Sequence, residues 1–191
     1  MRLFVALEIP GAVRDNLAAQ INELRDLSVP LADKRPRWMR PENLYVTLKF
    51  IGEVSATKLE GIRGALANVG SEAPVDLRFH GLGFFPDEKC PRVLWAGLNG
   101  SANLPSLARD IERALEAQGI APDKRAFTPH LTLARFEPPG LHERLRTAIQ
   151  KKSQREFGAF HAREFHLIES KLKPTGAEYT SLASFPFTGE A

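Results

Sequence analysis

Cysteine is nearly absent from this chain. The single Cys90 rules out an intramolecular disulfide and any zinc site built on several cysteines, and such sparing use fits a reducing cytosol. Long apolar runs are missing too, since no stretch approaches the roughly 20 residues that cross a bilayer. The opening residues Met1 to Pro10 have no separate basic region and no small-residue cleavage site, so they read as a buried strand rather than a signal core. Charge of one sign is barely in excess. With 26 Lys+Arg against 23 Asp+Glu, the net +3 gives only a weak pull toward an anionic partner. His80, His142, His161 and His166 show no ligand spacing with acidic partners, so no metal is expected. What is present, 43% hydrophobic and 26% charged over 191 residues, argues against disorder and fits one domain, or one domain of two lobes.

Leu3, Val5, Leu7 and Ile9 alternate with Arg2, Phe4, Ala6 and Glu8, the period of a strand. Pro10 and Gly11 end it, and Val13, Leu17, Ile21 and Leu24 form the apolar stripe of a helix. In the loop bracketed by Pro30 and Pro36, and just beyond it, Lys34, Arg35, Arg37 and Arg40 surround Trp38. That composition suits a solvated loop with a packed tryptophan, or a loop that grips a nucleic-acid backbone and stacks a base. A strand over 43–52 follows. Ser55 then caps a helix with the stripe Leu59, Ile62, Leu66 and Val69. Stretches 75–85 and 92–98 read as a hairpin joined by 86–91, where Cys90 is an incidental thiol. A helix on Leu104, Leu107, Ile111 and Leu115 stops at Gly119. The strand 127–136 comes next, then the break Pro138-Pro139-Gly140 and a helix on Leu141, Leu145 and Ile149. Strands over 156–160, 164–172 and 178–185 complete the chain, with Thr175-Gly176 marking the last turn.

The order β-α-β-α-β-β-α-β-α-β-β-β contains one block twice, starting near Leu3 and near Val93. In each copy the third element is a strand marked by a polar pair, Tyr45 with Thr47 and His130 with Thr132. The repeat predicts an α+β fold of two similar antiparallel-sheet lobes with outer helices, each giving its marked strand to a shared cleft. Strict alternation puts Leu44, Val46, Leu48 and Phe50 on one face of the first marked strand, and Tyr45, Thr47 and Lys49 on the other. On the second, Leu131 and Leu133 oppose His130, Thr132 and Ala134. One reading of such a pair is a satisfied surface contact. The other is chemical: a threonine hydroxyl donates to a phosphoryl oxygen while imidazole exchanges a proton with an attacking or leaving oxygen. Two opposed pairs suit in-line displacement at phosphorus with one base and one acid, and the scheme needs no metal.

With these residues in place, the chain resembles the two-histidine phosphoesterases, in the branch of RNA 2′,3′-cyclic phosphodiesterases, also called 2′-5′ RNA ligases. The resemblance is carried by Arg2-Leu3-Phe4-Val5-Ala6-Leu7, the block from Trp38 to Gly52, Pro91-Arg92-Val93-Leu94-Trp95, Phe127 to Phe136, and Leu167-Ile168-Glu169-Ser170-Lys171-Leu172. It implies a bilobal α+β fold made by residues 1–191 as one domain, and opening of a 2′,3′-cyclic phosphate to a 2′-phosphate. In some members it implies joining or cleavage of 2′-5′ linkages, with no nucleotide cofactor. It further implies His130 as the base that activates water, Thr47 and Thr132 as partners of the phosphate, and Arg135 as a phosphate-binding arginine. Phe50 and Phe4 would stack a base, or else serve as plain core. Alternation places Arg135 on the Leu131 side, so it reaches the cleft only where the strand twists or bulges. The expected partner is RNA with a 2′,3′-cyclic end, or a cyclic nucleotide; a metal, a membrane and a second copy are not expected.

One position departs from the pattern. Where the family carries a histidine that protonates the leaving O3′, this chain has Tyr45. A free tyrosine titrates near about 10 against about 6.5 for histidine, so it is a poorer acid at neutral pH, and a bulkier one. Loss of a positioned acid typically removes about 10²–10⁴-fold in rate. Three readings follow: a weak phosphodiesterase using Tyr45 as substitute donor, an inactive relative that binds RNA ends or cyclic nucleotides, or an otherwise normal enzyme altered at this residue.

Overall fold

The computed structural model describes residues 1–28, 36–70, 73–137, 143–174 and 176–188. Its first strand, β1 (Arg2–Glu8), is buried on both faces: Leu3, Val5 and Leu7 join the main core, while Phe4 and Ala6 face the other way with Ile168. Helix α1 (Gly11–Ser28) buries the expected stripe of Val13, Leu17, Ile21 and Leu24. A two-residue strand, β2 (Arg37–Trp38), precedes β3 (Tyr45–Glu53) and has no counterpart in the sequence reading. Ser55 does cap, accepting from the Thr57 N–H at 3.3 Å, but the turn it opens is a 3-10 turn, Ala56–Lys58, that leads into α2 (Leu59–Ala67). Strands β4 (Val75–Phe85) and β5 (Val93–Gly100) pair antiparallel, as the hairpin pattern requires. Helix α3 (Asn103–Glu116) is followed by Gly119 at φ +76°, which lets the Ile120 N–H turn back to the Leu115 carbonyl at 3.1 Å. The described chain finishes with β6 (His130–Arg135), α4 (Glu143–Gln150), β7 (Glu156–Ala162), β8 (Glu164–Lys173) and β9 (Gly176–Pro186). Pro30, Lys34, Arg35, the break at 138–140, Leu141, His142 and Thr175 lie outside the described residues.

The strands form two antiparallel sheets, ordered β3-β1-β8-β9 and β2-β6-β5-β4-β7. The repeat is real: β1-α1-β3-α2-β4 is answered by β5-α3-β6-α4-β7, and in each the first strand pairs with the marked one. The halves also exchange strands. β4 leaves the first block to pair with β5, while β8, which follows the second block, returns to pair with β1. A continuous cluster of buried apolar side chains accordingly runs through both sheets and all four helices. β3, an edge strand of its sheet, lies alongside β6 of the other, so the sheets meet along the two marked strands.

Both marked strands break alternation at the same place. In β3, Thr47 stands opposite Ala6 and Lys49 opposite Val5, which leaves Leu48 as an extra residue. In β6, Thr132 stands opposite Trp95 and Ala134 opposite Leu94, which leaves Leu133 extra. A bulge of one residue shifts the facing of everything after it. Leu48 and Lys49 therefore both turn inward, as do Leu133 and Ala134, and Phe50 and Arg135 come out on the polar face. This corrects the faces expected from alternation: Lys49 and Ala134 leave the side of the polar pair, and Phe50 and Arg135 join it.

Lys49 is consequently only 2% exposed. Its ammonium lies 2.9 Å from Glu112 on α3 and 3.1 Å from Asp123, and donates to the Ala121 carbonyl at 3.1 Å. These contacts occupy its three donors and tie β3 to α3 and to the irregular segment that leads into β6. The hydrogen bond from Lys49, with a second from the Asp123 N–H, holds the Glu112 carboxyl below its ordinary pKa. A carboxyl held low in the folded state stabilises the fold above its unfolded pKa of about 4.3, and that contribution is lost as pH falls through the folded value. Lys49→Met should therefore lower the melting temperature at pH 7 by several degrees. The expected loss is about 2–3 kcal/mol, less than for a wholly buried pair because Asp123 reaches solvent. It should also flatten the decline in melting temperature between about pH 5 and pH 3; a variant as acid-sensitive as the parent would refute this linkage.

Candidate active site

On the sheet of β3, the face away from the main core carries Tyr45, Thr47 and Phe50 of β3, with Phe4, Ala6 and Glu8 directly opposite them on β1. Rings gather here. Phe4 lies with its centroid 6.1 Å from Tyr45, 6.2 Å from Phe50 and 5.0 Å from Tyr179 of β9, and the two tyrosines stand 5.9 Å apart. These are edge-on or tilted arrangements of the kind aromatic rings prefer. Phe4 is 6% exposed and forms the floor of the group, whereas Phe50 is 59% exposed and forms its open surface. Of the two phenylalanines considered for base stacking, only Phe50 therefore presents a free ring.

Tyr45 is half-buried among these rings. Burial pushes its phenol pKa up, and the Glu8 carboxylate opposite pushes it further, against a smaller opposing pull from Arg14. The group is thus a neutral hydroxyl at physiological pH and reluctant to release its proton. Tyr179 is raised by burial as well, but the charges of Arg135 and Arg2 act on it in the other direction.

On the second sheet, His130, Thr132 and Arg135 of β6 share a face with Gly97, Trp95 and Val93, their opposite residues on β5. The His130 ring sits edge-on to Phe85, centroids 5.0 Å apart, and Phe85 in turn lies 5.4 Å from Trp95. Trp95 lies over Gly83, where an added Cβ would come within 2.2 Å of the indole, so only glycine admits this ring. His130 Nδ1 is 2.8 Å from the Thr128 carbonyl. A carbonyl only accepts, so Nδ1 carries the hydrogen, and in neutral imidazole the lone pair is left on Nε2. That is the form a general base needs.

The register and bulges therefore put Tyr45, Thr47 and Phe50 together on one face, and His130, Thr132 and Arg135 on another, on strands that run side by side. Arg135 meets the condition alternation set for it, because the bulge at Leu133 supplies the shift. Tyr179, Phe85, Trp95 and Glu8 are neighbours that sequence reasoning did not single out. The only available signal was composition: the chain has two tyrosines, and both lie in this cluster. Among the described residues, no group of three or more His, Cys, Asp or Glu could hold a metal ion, and no helix is long and apolar enough to cross a membrane.

The chain is similar to known proteins. A family model described as the 2′-5′ RNA ligase superfamily matches residues 13–174. A protein of Archaeoglobus fulgidus named RNA 2′,3′-cyclic phosphodiesterase is 34% identical over 185 residues, covering 97% of this chain and 99% of its own length. One of the same name from Aquifex aeolicus is 33% identical over 192 residues, covering 99% and 98%. The crystal structure of TT0787 of Thermus thermophilus superposes over all of both chains with a TM-score of 0.77 at 30% identity. Escherichia coli LigT complexed with NADP+ shares the fold, with a TM-score of 0.76 at 23% identity over 98% of each chain. The family model spans most of the chain and the relatives match it over nearly its full length: the chain belongs to the 2′-5′ RNA ligase superfamily.

Proposed function

We propose that the chain, acting as one bilobal catalytic domain, hydrolyses the 2′,3′-cyclic phosphate at an RNA end to a 2′-phosphomonoester. The observation that carries this reading is that the two marked strands lie alongside one another, each with its polar pair on one face, while the matched bulges add Phe50 and Arg135 to those faces, in a family whose relatives bear that activity as their name. His130 Nε2 takes a proton from water as its oxygen bonds to phosphorus. The P–O3′ bond breaks, and the Tyr45 hydroxyl gives its proton to O3′. Thr47 and Thr132 donate to the non-bridging oxygens, Arg135 balances their charge, and Phe50, backed by Phe4, takes the base. The protonation state of Tyr45 sets the pH response. Its pKa is raised above about 10, so the donor keeps its proton across the neutral and mildly alkaline range.

One observation favours a second reading. The Tyr45 ring is engaged with Phe4 and Tyr179 and holds its proton tightly, which suits a module that retains RNA ends or cyclic nucleotides with little turnover. Both readings are tested by incubating the chain with 2′,3′-cyclic mononucleotides in the presence of EDTA and measuring 2′-mononucleotide.

Because the Tyr45 phenol is held above its ordinary pKa, turnover by the parent chain should show no alkaline limb through about pH 9. Tyr45→His should raise kcat by about 10²-fold or more, the worth of a positioned acid, and give the profile an alkaline limb that the parent lacks. His130→Ala should lower the parent's kcat by about 10²–10⁴-fold. No product from either the parent or Tyr45→His would sink the hydrolytic reading. Cyclic-nucleotide binding with a turnover indifferent to His130→Ala would instead establish the binding module.

A further inference from the structure

The two ends of the site differ in charge. At one end stand Glu8, opposite Tyr45, and Glu164, and their carboxylates flank the buried His166 at 3.9 and 3.6 Å. Arg14 is the cation that acts on Tyr45 at that end, whereas the other end carries three arginines, with Glu53 opposite Arg2. Arg135, turned onto the site face by the bulge at Leu133, stands directly opposite Arg37 of β2, and both are exposed. Like charges directly opposite on antiparallel strands destabilise the pair. Arg37 is eased by an ion pair with Glu137 at 3.2 Å, but these side chains are 73% and 64% exposed, and such a pair is worth little in water. Arg2, also exposed, is close enough to Tyr179 for its charge to act on the phenol together with that of Arg135. Phe50, the open ring of the aromatic group, pairs with Phe4 two residues along β1 from Arg2.

The structure also separates the two readings of the basic loop. Trp38 stands opposite Ala134, on the core side, and its Nε1–H donates to Ser28 Oγ at 3.3 Å. The tryptophan is therefore packing, and the neighbouring Arg37 is what faces the site.

We propose that Arg37 and Arg2 bind the phosphates that lie 5′ to a terminal 2′,3′-cyclic phosphate, so that the RNA strand leaves the site over Phe50 and Tyr179 and not past Glu8 and Glu164. The proposal rests on the hydrolytic reading and gives it a direction. A cyclic end has chain on one side only, so one exit suffices. Guanidinium groups match phosphate oxygens, an exposed ring accepts a base of any identity, and the carboxylates at the far end repel a polyanion. The preferred substrate becomes a single-stranded oligonucleotide rather than a cyclic mononucleotide.

The test compares a 2′,3′-cyclic mononucleotide with a short single-stranded RNA ending in the same group. Arg37→Ala and Arg2→Ala should each raise KM for the RNA by about 5- to 10-fold, the loss of one charge-assisted phosphate contact. Each should also reduce the slope of log kcat/KM on log salt by about 0.7. The mononucleotide ends before these arginines, and its kinetics should not change. Glu164→Lys, which places a cation at the other end, should leave the RNA's KM where it was. Unchanged KM and salt slope in Arg37→Ala, a mononucleotide KM that rises in parallel, or an RNA bound more tightly by Glu164→Lys would each overturn the assigned exit. If neither substrate is turned over, the hydrolytic reading fails. The exit is then judged by fluorescence anisotropy of the labelled RNA with the same variants and the same expected loss.

Discussion

The site is completed by one local irregularity made twice. A strand presents alternate residues to opposite faces, so a motif of a polar pair followed three residues later by a third group cannot all face one way on a regular strand. The bulges at Leu48 and Leu133 resolve this by adding one residue to each marked strand, at the same distance from its polar pair. Phe50 and Arg135 are equivalent positions of the repeat, five residues after Tyr45 and His130. The same shift that exposes Phe50 buries Lys49, and the ammonium is then accommodated only because Glu112, Asp123 and the Ala121 carbonyl converge on it. Surface on one side of β3 and buried charge on the other are consequences of a single inserted residue.

The two halves have diverged around that shared frame. The His130 half keeps a ring whose hydrogen is directed to a backbone carbonyl, beside Phe85 and Trp95. The Tyr45 half has become an aromatic group in which both of the chain's tyrosines lie against Phe4. A phenol in that setting differs from an imidazolium in kind: it stays neutral, burial strengthens its hold on the proton, and Glu8 adds to the effect. In the proposed reaction such a phenol is a donor present over a wide range of pH but intrinsically weak.

The exchange of β4 and β8 between blocks explains why two repeats make one body. Each sheet is completed by strands from the other half, β8 and β9 in one and β2 and β4 in the other, and the apolar side chains of all four helices enter a common core. Relative placement of β3 and β6 is therefore set by the packing of the whole chain, with Lys49 as a polar tie close to the junction.

Much of the fold was legible in the residues. The stripes Val13-Leu17-Ile21-Leu24 and Leu104-Leu107-Ile111-Leu115, the hairpin of β4 and β5, the stop at Gly119 and the block repeat all follow from periodicity and turn chemistry, which are local properties. So did the pairing of Tyr45 with Thr47 and of His130 with Thr132, because residues two apart on a strand share a face whatever surrounds it. What lay beyond local reasoning was the facing of Phe50, Lys49, Ala134 and Arg135. A bulge is decided by the partner strand, and nothing in Leu48 or Leu133 alone announces it. The recruitment of Tyr179, Phe85 and Glu8 came from the same source, since it depends on which strands lie side by side. By itself, then, the sequence determined the elements, their repeat and the shared facing of the two polar pairs. Tertiary structure alone decided which further side chains join those pairs, because register between strands is a property of their packing and not of either strand.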